Sequence, residues 1–167
     1  MPNGFESVAE FLPYWDNIRA RTMRVAELVP ENLIDWSPGA GAMSFADLLR
    51  HLAVVERWMF TETACGRPSA YRTHGPELAD GKAAILLLMR ELHQEAVTLL
   101  SHLSIDDLAG KVKTPAGAHV TTAKWLRAMV EHEVHHRGQL YLMLRLCQVQ
   151  TPPIFGLTSE QLRIQTA

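Results

Sequence analysis

The residues best suited to chemistry are two histidines, His132 and His136, in the proline-free segment Trp125–Arg145. Residues four apart on a helix project from one face, with roughly 5–6 Å between their Cβ atoms. At that spacing, two ring nitrogens can bind one metal ion at roughly 2.0–2.1 Å each. Two core or surface histidines that hydrogen-bond to neighbouring groups would have the same spacing. The pair therefore indicates either a metal site or ordinary packing, and spacing alone does not decide between them.

The segment around the two histidines has the apolar pattern of a helix that packs against a core. Six side chains recur at steps of three or four residues and so share one face: Trp125, Met129, His132, His136, Leu140 and Met143. The two imidazoles occupy positions where this pattern predicts core side chains. A metal site here would need a third ligand from the inner face of another helix.

The same segment matches the H-E-x-x-H signature of zinc proteases, in which Glu133 would be the general base. The extended form of that signature requires glycine three residues after the second histidine, but Gln139 is there and Gly138 comes one place early. A downstream glutamate ligand could only be Glu160, in a tail that we expect to be irregular. The context therefore argues against a zinc protease.

Composition and charge indicate a soluble globular protein, with 47% hydrophobic and 20% charged residues and a net charge of −2 among 167 residues. We expect a single domain over residues 1–167 and no nucleic-acid binding. Cys65 and Cys147 are isolated in apolar patterns, which predicts buried thiols in a reducing compartment. No export signal is visible, and the longest apolar run, Ala83–Met89, is too short to cross a membrane. These features predict a cytoplasmic protein without membrane segments.

Hydrophobic periodicity divides the chain into four long helices. The first is expected to start near Pro13, after a short helical lead-in, and to stop at Pro30. The second is capped by Ser44, with Asp47 three residues later, and ends near Gly66. Four such helices with medium-length loops predict an all-α helical bundle.

The later elements are expected to continue this arrangement. Helix three runs from about Lys82 to Leu103, and Thr121 or Thr122 opens helix four. The segment Lys111–Val120 between them is assigned to a loop, with a few residues of possible strand at its start. The tail after Gln148 is expected to be irregular and to pack back on the bundle.

Among the other histidines, His51 is the one placed on an inner helical face, beside the apolar stripe of helix two and one turn from both Leu48 and Val55. His74 and His119 lie in loops and are weaker ligand candidates. His93 and His102 fall on the other faces of helix three, where we expect solvent exposure. His51 is therefore the preferred third ligand.

Two segments, AMVEHEVHHRGQLYLMLR and SFADLLRHLAVVERW, together with the tail TPPIFGLTSE, resemble the DinB-like family, also called DinB/YfiT. The resemblance covers nearly the whole chain. It implies an antiparallel four-helix bundle with a long crossover, often a homodimer, and a divalent metal, zinc or nickel, held by three histidines. The family's three ligand positions correspond to His51, His132 and His136 in this sequence, so the resemblance implies that these residues bind the metal.

The neighbours of the histidine pair receive separate interpretations. His135 lies about 100° around the helix from His136, which favours packing or a dimer contact over metal binding, although an i,i+3 pair could also chelate. Glu133 is assigned to an exposed ion pair with Arg137, four residues later. Gly138 would allow another helix to approach closely. No catalytic residue is assigned.

Three functions are compatible with these features. By resemblance, the favoured one is a metal-dependent transferase that joins a low-molecular-weight thiol to a small electrophile, because a metal-bound thiol loses its proton at neutral pH. The second is hydrolysis of small amides or esters, with Glu56 or Glu133 as the only local acid or base. The third is a non-catalytic, stress-related dimeric protein with a structural metal.

Overall fold

The computed structural model describes residues 5–154, 156–157 and 159–165. Most of these residues are helical, and a short 3₁₀ turn at Glu31–Leu33 follows the first helix. In chain order the elements are α1 (Val8–Ala26), α2 (Phe45–Val54), a π-helical segment (Val55–Thr61), α3 (Glu62–Ala64), α4 (Lys82–Leu100), α5 (Ile105–Ala109), β1 (Lys111–Lys113), β2 (His119–Thr121), α6 (Thr122–Leu146) and α7 (Ser159–Gln165).

The first helix begins earlier than the sequence predicted. Ser7 is its N-cap and accepts a hydrogen bond from the Glu10 amide at 3.2 Å, so the helix starts at Val8 and continues through Pro13. Proline inside a helix removes one backbone hydrogen bond. Here the cap and the burial of Val8 and Phe11 against the core offset that loss. The predicted start near Pro13 was therefore wrong.

The second long helix consists of α2, the π-helical segment and α3, which follow one another without a break. The predicted cap is confirmed. The Asp47 amide donates to Ser44 Oγ at 3.1 Å, and the Ser44 amide donates to Asp47 Oδ2 at 3.3 Å. The helix ends as expected next to Gly66, whose φ of +73° belongs to the left-handed region that favours glycine. Nothing in the hydrophobic periodicity predicted the π-helical turns.

The second half of the chain differs from the prediction in three details. Helix three ends at Leu100 and not at Leu103. The expected loop before helix four contains a hairpin. Its first strand, β1, lies where a few residues of strand were expected to be possible, but its second strand, β2, which pairs antiparallel with β1 and places Val120 opposite Val112, was not predicted. The tail is not wholly irregular, because Ser159–Gln165 forms α7. The opening of helix four is confirmed, since Thr121 accepts a hydrogen bond from the Lys124 amide at 3.2 Å.

Contacts between side chains show how the helices run. Trp15 contacts Glu56, and Arg19, one turn later in α1, contacts the backbone of Leu52, one turn earlier in the second helix. The two helices are therefore antiparallel. Lys82 at the start of α4 donates to the Glu27 carbonyl at the end of α1, so α4 is also antiparallel to α1.

The connection over residues 65–81 must cross the length of the bundle, because α4 runs in the same direction as the helix before it. This long crossover and the helical content confirm the predicted all-α bundle. Within the described residues, no helix combines the length and apolar character needed to cross a lipid bilayer. Cys65 and Cys147 are both free thiols and half-buried, so the prediction of full burial was wrong.

The apolar interior consists of two clusters separated by a layer of polar side chains. On α1, Ile18 belongs to one cluster and Val25 to the other, and the buried polar residues Arg19 and Thr22 lie between them. The same interruption occurs on α6, between Met129 and Leu140, where both histidines of the sequence pair are found. The functional candidates therefore lie at mid-height in the bundle.

Candidate metal centre

Three histidines converge where the second helix faces α6. Trp125, near the start of α6, donates to the Phe60 carbonyl. His132 and His136, about two and three turns further along α6, lie beside His51, which precedes Phe60, so the two helices are antiparallel. His51 Nε2 lies 3.2 Å from His132 Nε2, and His136 Nε2 lies 3.1 Å from the same atom. One donor atom from each ring lies within 4.8 Å of the other two. We call these three residues the histidine cluster.

The spacing of the three nitrogens fits a divalent metal ion. Ligands at 2.0–2.1 Å from a tetrahedral ion are separated from one another by about 3.3–3.4 Å. The two separations in the structure that involve His132 Nε2, 3.1 and 3.2 Å, are close to that value. Three imidazole ligands are also the donor set of catalytic zinc sites that keep a fourth position open. All three rings are partly exposed, so a small molecule could reach a bound ion.

The surroundings of the cluster favour neutral rings, which is the form that binds metals. Burial, followed by the proximity of His136 and His74, lowers the pKa of His51 to about 4. Burial, followed by the neighbouring histidines, lowers the pKa of His132 to about 3. Burial also lowers the pKa of His136. At neutral pH the three nitrogens are therefore available as electron-pair donors.

A hydrogen bond orients His136 for this role. Its Nδ1 lies 2.6 Å from Gln139 Oε1, and since an amide oxygen can only accept, Nδ1 carries the proton. The Nε2 lone pair is then free to face His132. Such partners on the far ring nitrogen are typical of metal-binding histidines. Gln139 follows its histidine by three residues, so helical spacing could have identified it as a partner.

The weaker ligand candidates lie outside the cluster. His119 is an exposed residue of β2, and His102 is exposed as predicted. His135 is also exposed, with its ring centroid 4.9 Å from that of His136. His74 comes close to the cluster, with 5.3 Å between its ring centroid and that of His51, but it contributes no atom to the converging group.

A second polar group lies beside the cluster and is almost completely buried. Arg19 forms an ion pair with Glu56, and its Nη1 lies 3.3 Å from Glu133 Oε1. His93 Nδ1 lies 2.7 Å from Glu56 Oε1, and Arg137 donates to the Ile18 carbonyl at 3.2 Å. We call Arg19, Glu56, His93, Glu133 and Arg137 the ionic network. It joins all four long helices of the described chain.

The pKa values of the network follow from its charges. Burial alone would raise the pKa of Glu56, but Arg19 and then His93 hold it below its usual range. Burial raises the pKa of Glu133, against the opposing effect of Arg19. Burial alone would lower the pKa of His93, but its bond to Glu56 raises it above the ordinary value.

Two predictions about the network residues were wrong. Glu133 and Arg137 are not an exposed pair, because their exposed fractions are 2% and 3%. Helix α1 covers that face of α6 and supplies Arg19 as the partner of Glu133. His93 is not solvent-exposed either, since 16% of its side chain is accessible and it contacts both Glu56 and Asp16. Sequence periodicity assigned these charged residues to solvent because the partners that bury them are distant in sequence.

Comparison with known proteins agrees with this architecture. The family profile described as the DinB superfamily matches residues 14–140. The chain is 23% identical to the uncharacterized protein YjoA of Bacillus subtilis (strain 168) over 140 residues, which are 83% of this chain and 86% of YjoA.

Two crystal structures have the same fold. A DinB-like protein from Bacillus cereus ATCC 10987 aligns with a TM-score of 0.78 and 16% identity, covering 90% of this chain and 99% of that one. The DinB-like YjoA structure from Bacillus subtilis aligns with a TM-score of 0.70 and 20% identity, covering 86% and 95%. The matched profile spans most of the chain, including all three residues of the histidine cluster, and so the protein belongs to the DinB superfamily.

Proposed function

We propose that the protein is a divalent-metal-dependent enzyme that transfers a low-molecular-weight thiol to small electrophiles. The observation that carries the proposal is the convergence of three imidazole nitrogens, from His51, His132 and His136, in a partly exposed position. Zinc or nickel is the expected ion, since imidazole suits both.

A divalent ion held by the cluster would lower the pKa of a thiol that binds to it, giving a thiolate at neutral pH. The chain's own contribution is to hold the three nitrogens in place and to leave one side of them accessible. Gln139 keeps the His136 proton on Nδ1 and so keeps Nε2 available.

A cavity next to His136 supports a small-molecule substrate. Its volume is about 360 Å³, within the usual range for ligand pockets. Apart from His136 and Gln139, its lining is apolar and includes Met43, Leu48, Leu142 and Leu146. A lining of this kind favours an uncharged, partly apolar electrophile over a highly charged one.

The structure offers less support for hydrolysis. That mechanism needs a free carboxylate close to the reacting water, and Glu56 and Glu133 were the local candidates. Both are buried and interact with Arg19, so neither is available as a base in this conformation. A non-catalytic protein with a structural metal is the outcome that remains if no activity is found.

Metal content is the first test. Elemental analysis of the untagged protein should find about one divalent ion per chain after loading with zinc or nickel, and His51→Ala should lose it. His102→Ala is the matched control, because His102 is exposed and outside the cluster. If the wild-type protein binds neither ion after loading, both enzymatic proposals fail.

Activity is the second test. Metal-loaded protein is mixed with a bromobimane or chlorodinitrobenzene electrophile and, in turn, with each common cellular thiol. We expect thiol-dependent consumption of the electrophile that His132→Ala abolishes. Consumption of an ester or amide without added thiol would instead support hydrolysis. No reaction with any thiol would overturn the transferase proposal.

Two further expectations accompany this proposal. The presence of two free thiols, Cys65 and Cys147, supports a location in the reducing cytoplasm. A homodimer is supported by exposed apolar residues on one side of α6, namely Val134, Leu142 and Leu146, which are eight and four residues apart and 42%, 60% and 57% exposed. Light scattering should give twice the mass of the 167-residue chain, and Leu142→Glu should halve it.

A further inference from the structure

The crossover between α3 and α4 places two polar side chains against the outer edge of His51. The Tyr71 hydroxyl lies 3.5 Å from His51 Nδ1 and 2.6 Å from His74 Nδ1. The rings of His51 and Tyr71 meet edge to face, with 6.0 Å between their centroids. These two residues come from a loop and not from a bundle helix, and the proposed function makes no use of them.

Donor and acceptor requirements give the three groups a single consistent arrangement when His51 binds a metal through Nε2. The neutral imidazole must then carry its proton on Nδ1. A tyrosine hydroxyl can accept that proton's hydrogen bond and donate its own proton once. His74 Nδ1 is in position to accept it. The chain of hydrogen bonds therefore runs from His51 through Tyr71 to His74.

The loop that carries Tyr71 and His74 is held by the second helix at two points. The Ala70 amide, next to Tyr71, donates to the Trp58 carbonyl at 2.7 Å. Arg50, which is 4% exposed, donates from Nε to the His74 carbonyl at 2.8 Å. Because His51 lies on the same helix as both of these contacts, the loop and the histidine keep a fixed relation. A residue that orients a metal ligand such as His51 must itself be held in place, and these two contacts hold the loop that carries Tyr71.

We propose that Tyr71 is a positioning residue that fixes His51 as an Nε2 ligand, with His74 fixing the direction of the Tyr71 hydroxyl. This inference rests on the proposed metal site. The 3.5 Å contact between Tyr71 and His51 is long for a hydrogen bond, and we expect it to shorten when the metal is bound.

The experiment compares Tyr71→Phe with the wild type by competition for Zn²⁺ and Ni²⁺ against a chromophoric chelator. Loss of a group that orients a metal ligand typically weakens affinity by about 10–100-fold, and we expect that range here. His74→Ala should weaken affinity by a smaller factor, because Tyr71 could still accept from His51. Tyr14→Phe, at an exposed tyrosine of α1, is the control and should change nothing.

A readout that does not need metal completes the test. Nitrogen NMR of labelled histidines in the metal-free protein should show the His51 proton on Nδ1, and Tyr71→Phe should shift it partly to Nε2. Thermal unfolding of metal-free Tyr71→Phe should match the wild type.

If the wild type binds metal and folded Tyr71→Phe binds it within twofold as tightly, only the positioning role is overturned. If the wild type binds neither ion, the proposed function and the positioning role both fail.

Discussion

The histidine cluster and the ionic network lie at the same level of the bundle, and α6 supplies residues to both. In the ionic network, positive and negative groups alternate, so that Arg19 has carboxylates from two helices around it. In the histidine cluster, three like groups face one another. The pKa of His93 is raised in the first, whereas the pKa values of all three histidines are lowered in the second.

The difference indicates which of the two groups is suited to bind a ligand. In the ionic network the charges of Arg19 and the two carboxylates neutralise one another, although Arg19 Nε and Nη1 and Glu133 Oε1 are buried without a hydrogen-bond partner among the described residues. Three electron-pair donors that lie close together, as in the histidine cluster, form a group that a divalent metal ion could complete. A buried ion pair adds little net stability relative to apolar packing, but removing one partner leaves an uncompensated charge in the interior. The two groups should therefore respond differently to mutation, metal and pH.

The largest effect is expected from Glu56→Ala in the ionic network. The substitution leaves the buried Arg19 guanidinium without its main partner, so the free energy of unfolding should fall by about 3–5 kcal/mol. Urea unfolding measures the change. Glu27→Ala is the control, because the exposed pair of Glu27 with Arg90 should be worth less than about 1 kcal/mol. Equal effects of the two variants would contradict this view of the network.

Metal should stabilise the protein through the histidine cluster alone. At a free zinc concentration of one hundred times its dissociation constant, the free energy of unfolding should rise by about 2.7 kcal/mol. His132→Ala should show no rise at the same concentration. Urea unfolding with and without zinc gives both values. A rise that persists in His132→Ala would place the stabilising metal elsewhere.

Trp15→Phe tests a single bond of the network. The indole Nε1 donates to Glu56 Oε1 at 2.6 Å in the core, and phenylalanine keeps most of the apolar contact without the donor. Hydrogen bonds to charged groups contribute about 1.5–3 kcal/mol, so we expect a loss of about 2 kcal/mol. Zinc affinity should not change. A weakened zinc site in this variant would mean that the network and the cluster are coupled.

The smallest effect concerns His93 and pH. Its pKa is raised in the folded protein by Glu56, so its protonated form stabilises the fold below the unfolded pKa of about 6.5. This contribution should disappear as the pH rises through the folded value. The difference in unfolding free energy between wild type and His93→Gln should thus fall by about 1 kcal/mol between pH 6 and pH 9. Asp16 and Arg19 also face this ring, and a constant difference across the range would show that the bond does not depend on protonation.

The sequence predicted those parts of the molecule that depend on local pattern. Helical spacing and known cap chemistry predicted the Ser44 and Thr121 caps, the helical bundle and the position of His51 next to the histidine pair. The ionic network could not be found in this way. Glu133 lies off the apolar stripe of α6, and only the packing of α1 against that face shows that it is buried.

The π-helical segment, Val55–Thr61, has a consequence for the evolution and engineering of the chain. Its wider turns leave the Trp58 and Phe60 carbonyls to accept hydrogen bonds from the crossover and from α6. An α-helix advances about 100° per residue and the i→i+5 turns of this segment advance less, so a change in its length or helix type would turn these carbonyls relative to His51. This segment sets the rotation of His51 about the helix axis relative to the crossover and to α6. We therefore expect single-residue insertions and deletions to be tolerated in the surface loops but to disrupt the fold in this segment.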